Sequence, residues 1–146
     1  MTTTLVPMRW WHIAEVMPLE ASLFAEEAWT EAMLWAELAQ SSSRHFVVAE
    51  EDGDILGYAG LCAFDEEAHV QTIGVRRDRQ GEGIGTALLR DLLAEADRRD
   101  LSTVLLEVRA GNTAARRLYL RHGFRQIGVR RRYYRSGADA VVMARE

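Results

Sequence analysis

The chain has 146 residues, 48% of them hydrophobic and 27% charged, with a net charge of −4. That size and balance predict one soluble globular domain over residues 1–146, large enough to bury a core. A single cysteine, Cys62, excludes an internal disulfide and fits a reducing compartment; no apolar run approaches the roughly 20 residues of a membrane span, and the first residues lack a leader pattern, so the cytoplasm is the expected location.

Residues 5–8 read as a short strand that Pro7 confines to an edge or an end. Ile13, Val16, Leu19, Leu23 and Phe24 fall at helical spacing, with Pro18 expected to bend or break the helix. Thr30 caps a second helix carrying Leu34, Trp35 and Leu38 on one side. After a serine loop at 41–43, residues 46–49 and 55–64 read as strands joined by a hairpin turn at 51–54. A further strand, 69–75, follows the acidic turn at 65–67.

Ile84, Leu88, Leu89, Leu92 and Ala96 make an amphipathic helix ending near residues 99–100. Residues 102–108 read as a buried strand. Asn112 caps a helix with Ala115, Leu118 and Tyr119, which Gly123 stops. Residues 124–129 and 140–144 close the chain as two strands. The predicted class is α/β, in the order β-α-α-β-β-β-α-β-α-β-β.

The charge is unevenly spread. Residues 1–108 hold 20 acidic and 8 basic side chains, whereas 109–146 hold 2 acidic residues and 10 arginines. Such a basic segment suits phosphates, but no stacking-aromatic motif accompanies it, so nucleic acid is not an expected partner. The four histidines show no metal-ligand spacing, and no metal is expected.

Between the strand at 69–75 and the next helix lies Gln80-Gly81-Glu82-Gly83-Ile84-Gly85. Glycines at a strand-to-helix turn let backbone approach a ligand, and the helix start beyond offers free N–H groups to a phosphate. The run fits neither the P-loop, since the chain has no lysine, nor G-x-G-x-x-G, since Thr86 and Leu88 occupy the last position. A diphosphate seat and a plain tight turn both remain open on this stretch alone.

The run resembles the Q/R-x-x-G-x-G/A acetyl-coenzyme A (acetyl-CoA) motif of the GNAT superfamily of N-acetyltransferases, and the element order is similar to that fold, a mixed central sheet flanked by helices. Residues 106–115, Leu118-Tyr119, His122-Gly123-Phe124, the run 131–134 and the run 139–143 resemble the RimI-like branch, bacterial enzymes that acetylate ribosomal-protein N-termini. The resemblance covers residues 44–146 well and the first 40 weakly. It implies backbone contacts from Ile73, Gly74 and Val75 to the pantetheine arm and acetyl group. It also implies a pyrophosphate seat at Gln80, Gly81, Glu82, Gly83, Ile84 and Gly85, and a pantetheine contact at Asn112. Glu107 matches the general base, and Tyr119 the general acid that also touches the cofactor. The loop between the first two helices and the last hairpin imply a peptide groove, in which Trp29 and Tyr133 are candidates for holding the acceptor. Arg135 stands where the family often carries proline, which bears on that groove. Gly74 stands where alanine is common, a difference expected to matter little.

The residues also carry the chemistry. Acetyl transfer to an amine needs a neutral amine, a polarised carbonyl and a protonated leaving thiolate. Glu107 ends an apolar strand, which predicts a buried carboxylate suited to a base. Neutralising an α-amine of pKa about 7.7 at pH 7 costs roughly 1 kcal/mol, against roughly 4.6 kcal/mol for a lysine of pKa about 10.4. Tyr119, a phenol with an ordinary pKa near 10, can protonate the departing thiolate if it points at the sulfur, whereas Cys62 in a strand is expected to be core rather than an acyl carrier.

The expected activity is acetylation of a protein α-amine, the implied target being the N-terminal alanine of a small-subunit ribosomal protein, by direct attack in a ternary complex. The acidic first half would steer a basic ribosomal protein, and a monomer is the expected state. Acetylation of lysine or a small amine, and a non-catalytic acyl-CoA-binding module, are the alternatives.

Overall fold

The computed structural model describes residues 3–146. Seven strands form one mixed sheet: β1 (Thr4–Pro7), β2 (Arg44–Glu51), β3 (Asp54–Phe64), β4 (Glu67–Val75), β5 (Thr103–Arg109), β6 (Arg125–Arg130) and β7 (Ala140–Arg145), in the order β1-β2-β3-β4-β5-β7-β6. Four α-helices accompany them: α1 (Ile13–Phe24), α2 (Glu31–Leu38), α3 (Ile84–Arg98) and α4 (Thr113–Arg121). This is the expected order, element for element.

Strand alternation builds two cores. Phe46 and Val48 of β2 face α1 and α2, packing with Ile13, Val16 and Leu34, whereas Val47 and Ala49 face the opposite layer of α3, with Leu88, Leu89 and Leu92. Asp52 and Gly53 take φ of +52° and +83°, which closes the β2–β3 hairpin in two residues. Pro7 lies on the edge strand β1, where a missing N–H is tolerated.

Three local expectations change. α1 runs through Pro18 without breaking. Trp35 is 45% exposed while Leu34 beside it is buried, because neighbours in a helix sit about 100° apart and cannot share a face. β5 is not buried throughout: Val104, Leu106 and Val108 are, but Thr103 and Leu105 are half-buried and Glu107 is exposed.

That last difference marks the feature that positions the site. β4 and β5 run parallel, yet they pair only at Glu67↔Thr103, Ala68↔Val104 and His69↔Leu105. At that point β4 carries a bulge: Leu61 of β3 opposes Val70 and Gly60 opposes Thr72, leaving Gln71 unpaired. A bulge bends its strand and raises the local twist. β4 continues with β3 to Val75, β5 continues with β7 to Arg109, and the two separate into an open V.

Candidate active site

A cleft of about 720 Å³ fills the V. Ile73 lines it from β4, Leu106 to Arg109 from β5, Asn112 from the cap of α4, Ala115 and Tyr119 from α4 itself, and Ser22 to Glu27 with Trp29 from the end of α1 and the loop before α2. A second chamber of about 630 Å³ adjoins it, lined by His69, Leu105, Arg130, Tyr133, Arg135 and Val142. Glu27, Trp29, Val70, Gln71, Leu106, Glu107 and Tyr134 line both. Of the residues expected to act together, Trp29, Ile73, Glu107, Asn112 and Tyr119 therefore share one cleft. Tyr133 meets Trp29 and Glu107 in the second chamber.

Glu107 is not buried as the apolar strand suggested; its side chain is 31% exposed. Alternation along β5 turns it away from the core that holds Leu106 and Val108, into the gap β4 has vacated. It forms a long ion pair with Arg130 at 3.9 Å, beyond hydrogen-bond distance. Tyr119 is buried, and burial, with the nearby Tyr134, pushes its phenol up to about 12. Its ring packs 5.7 Å from Phe124. Tyr133 and Tyr134 meet edge to face at 5.1 Å, and burial and Glu107 raise both phenols.

Asn112 caps α4, its Oδ1 accepting the Ala115 N–H at 3.2 Å. The expected cap is observed, and Asn112 also lines the cleft.

The glycine run stands apart from the cleft lining, after β4 and at the start of α3. Gly81 and Gly83 take φ of +81° and +89°, the left-handed region that side chains disfavour. Ala87 is the first α3 residue to bond back, to the Gly83 carbonyl at 3.0 Å, so the N–H groups of Ile84, Gly85 and Thr86 have no intrahelical partner. No acidic side chain occupies that first turn. Gln80 donates to the Val75 carbonyl at 3.0 Å, and Glu82 pairs with Arg79, so neither side chain competes for the turn. Ile84 itself is buried in the core. A Cβ added at Gly85 would lie 3.7 Å from Val75 and 3.8 Å from Leu118, at ordinary contact distance. These features fit a diphosphate and its attached arm.

The chain matches the GNAT acetyltransferase family over residues 10–124. It belongs to that family. This GNAT enzyme is similar to N-alpha-acetyltransferase RimI of Mycobacterium tuberculosis, with 46% identity over 134 residues, 88% of this chain and 82% of the relative. It is 38% identical over 97 residues to the [ribosomal protein bS18]-alanine N-acetyltransferase of Escherichia coli K12, covering 64% of this chain and 66% of that one. The crystal structure of the ribosomal-protein-S18-alanine N-acetyltransferase from Escherichia coli superposes with a TM-score of 0.89 at 30% identity, over 99% of this chain and 93% of that one. The protein is an acetyl-CoA-dependent N-acetyltransferase. Among the described residues, no helix is long and apolar enough to cross a membrane.

Several residues at the site escaped the sequence. Glu20 of α1 is 4% exposed; its carboxylate accepts the Tyr58 hydroxyl at 2.7 Å and the Trp29 N–H at 2.9 Å. Burial raises its pKa and the two hydrogen bonds only partly offset that. Its signal was its spacing, since it follows Ile13 and Val16 on the buried face. Gly74 also means more than expected: a Cβ there would lie 2.8 Å from the Tyr58 ring and hydroxyl and 3.0 Å from Leu23.

Proposed function

We propose that the protein acetylates the α-amine of a protein N-terminus, and that its target is the N-terminal alanine of a small-subunit ribosomal protein. The observation that carries this reading is Glu107, an accessible carboxylate lining both chambers. One chamber holds the groups suited to the donor, Ile73, Asn112 and Tyr119, and the other holds Tyr133 beside Trp29. The similarity to enzymes named for ribosomal-protein alanine acetylation supports the target.

In this reading the first turn of α3, with Gly81 and Gly83, seats the pyrophosphate, and the β4 backbone at residues 73–75, paired with β3 but not with β5, holds the pantetheine arm along its open edge. Acetyl-CoA supplies an acetyl thioester. Glu107 accepts the amine proton through water, and the low cost of neutralising an α-amine near pH 7 suits an exposed carboxylate. Tyr119 keeps its proton throughout the physiological range, because its pKa stands at about 12. Handing that proton entirely to a thiolate of pKa about 8.5 would cost roughly 5 kcal/mol. Tyr119 therefore serves as a hydrogen-bond donor that stabilises charge on the departing sulfur. Trp29 and Tyr133 flank the acceptor backbone.

The test is turnover of two peptides that differ only in a free or blocked N-terminus. Acetylation confined to the free α-amine is expected, and turnover of the blocked peptide at its lysine overturns the reading. Mass spectrometry of cellular N-termini with and without the protein then identifies the target.

A further inference from the structure

Arg109 ends β5 two residues beyond Glu107, so strand alternation puts both side chains on the cleft face. Its Nη2 lies 2.6 Å from Glu27 Oε2, in the loop between α1 and α2. Its Nη1 donates to Ser136 Oγ at 3.0 Å, in the loop between β6 and β7, and the guanidinium sits 5.0 Å above the Tyr134 ring. Glu27 Oε1 also faces the Ser136 N–H at 3.4 Å. One guanidinium thus joins the two loops that flank the cleft to the strand that carries Glu107. Exposed ion pairs add little to overall stability, and this one is 40% exposed on the arginine side.

We propose that Arg109 is a specificity-determining positioning residue: by clasping Glu27 to Ser136 and Tyr134 it fixes the separation of the two loops and so sets the groove in which the acceptor lies relative to Glu107. The planar fork matters as well as the charge, because separate nitrogens serve Glu27 and Ser136 while the flat face covers Tyr134. The acceptor consequence rests on the protein-N-terminus reading above; the clasp itself does not.

Arg109→Gln, Glu27→Gln, the double variant and Arg109→Lys test the proposal on the whole chain. Either single glutamine variant is expected to raise the KM for a free-N-terminus peptide at least tenfold, with kcat and the KM for acetyl-CoA changed less than threefold. The double variant is expected to be no worse than the poorer single, since both remove the same contact. Arg109→Lys is expected to recover part of the loss. Amide hydrogen exchange, read without substrate, is expected to quicken in residues 25–29 and 132–137 together in Arg109→Gln. Unchanged exchange in both loops, an acceptor KM within twofold of the parent, or equal losses in kcat and both KM values overturns the clasp. Failure of the parent protein to use the free-N-terminus peptide overturns the function reading instead, leaving the exchange result to decide the clasp.

Discussion

Tyr58 donates its hydroxyl to Glu20 at 2.7 Å, inside the layer between α1 and the sheet. The other carboxylate oxygen takes the Trp29 N–H. One buried side chain thus ties α1 to β3 and to the loop that bears Trp29 and Glu27. Burial raises the carboxyl's pKa and so favours its neutral form. The folded chain then holds more protons than the unfolded chain between pH about 4.3 and the raised folded value. Stability from this group falls as pH rises through that window and stays lower above it. Glu20→Gln removes the component while keeping the shape. Thermal midpoints of the two proteins, compared from pH 4 to 8, are expected to shift in favour of the variant as pH rises. A difference that does not vary with pH refutes the assignment. Glu27, Glu37 and Glu95 act in the opposite sense: their pKa values are lowered, so their contribution is lost as pH falls.

Gly74 lies directly against the ring that Glu20 fixes. A Cβ 2.8 Å from the Tyr58 ring and hydroxyl must displace a side chain held by a hydrogen bond. Gly74→Ala is expected to destabilise the fold by about 1–3 kcal/mol, the usual cost of overpacking a filled core. Urea denaturation measures it, and a variant as stable as the parent shows that Tyr58 can move.

Glu107→Gln keeps the shape of the side chain and removes the carboxylate proposed as the base. General-base catalysis contributes about 10²–10⁴-fold, so kcat is expected to fall within that range. Calorimetric titration with coenzyme A is expected to give an affinity within twofold of the parent, because in the proposed reading Glu107 meets the acceptor amine, while the pyrophosphate seat proposed at the start of α3 lies apart from the cleft lining. Coenzyme A binding lost together with kcat would instead mean that Glu107 holds the donor.

The sequence carried the element order because each element declares itself locally: a continuous apolar run in β2, helical spacing in α3, and caps at Thr30 and Asn112. The glycine run was legible for the same reason, since its φ values require glycine over a few adjacent residues. Glu107 and Tyr119 do line one cleft, but Glu107 is not buried as its apolar strand suggested, because the gap beside it depends on a bulge at Gln71 that only strand pairing reveals. Glu27 and Arg109 stand 82 positions apart and no local pattern links them. Glu20 was passed over because a carboxylate on a buried helical face reads as an interruption until Tyr58 and Trp29 are seen to satisfy it.

The pH profile of the parent beside that of Tyr119→Phe tests whether burial holds the phenol proton at the proposed leaving-sulfur site. The pKa of about 12 keeps the phenol protonated at every pH the enzyme meets. The pH profile of kcat in the parent is therefore expected to show no basic limb from Tyr119 up to about pH 10, where a phenol at its ordinary value would be half ionised. Losing one preorganised donor at a developing charge costs about 10²–10³-fold in kcat, and Tyr119→Phe is expected to fall in that range with little change in the KM for the peptide. Its pH profile is expected to keep the parent's shape at lower height. A basic limb in the parent that vanishes in Tyr119→Phe would show that the phenol ionises during turnover and that burial does not hold its proton.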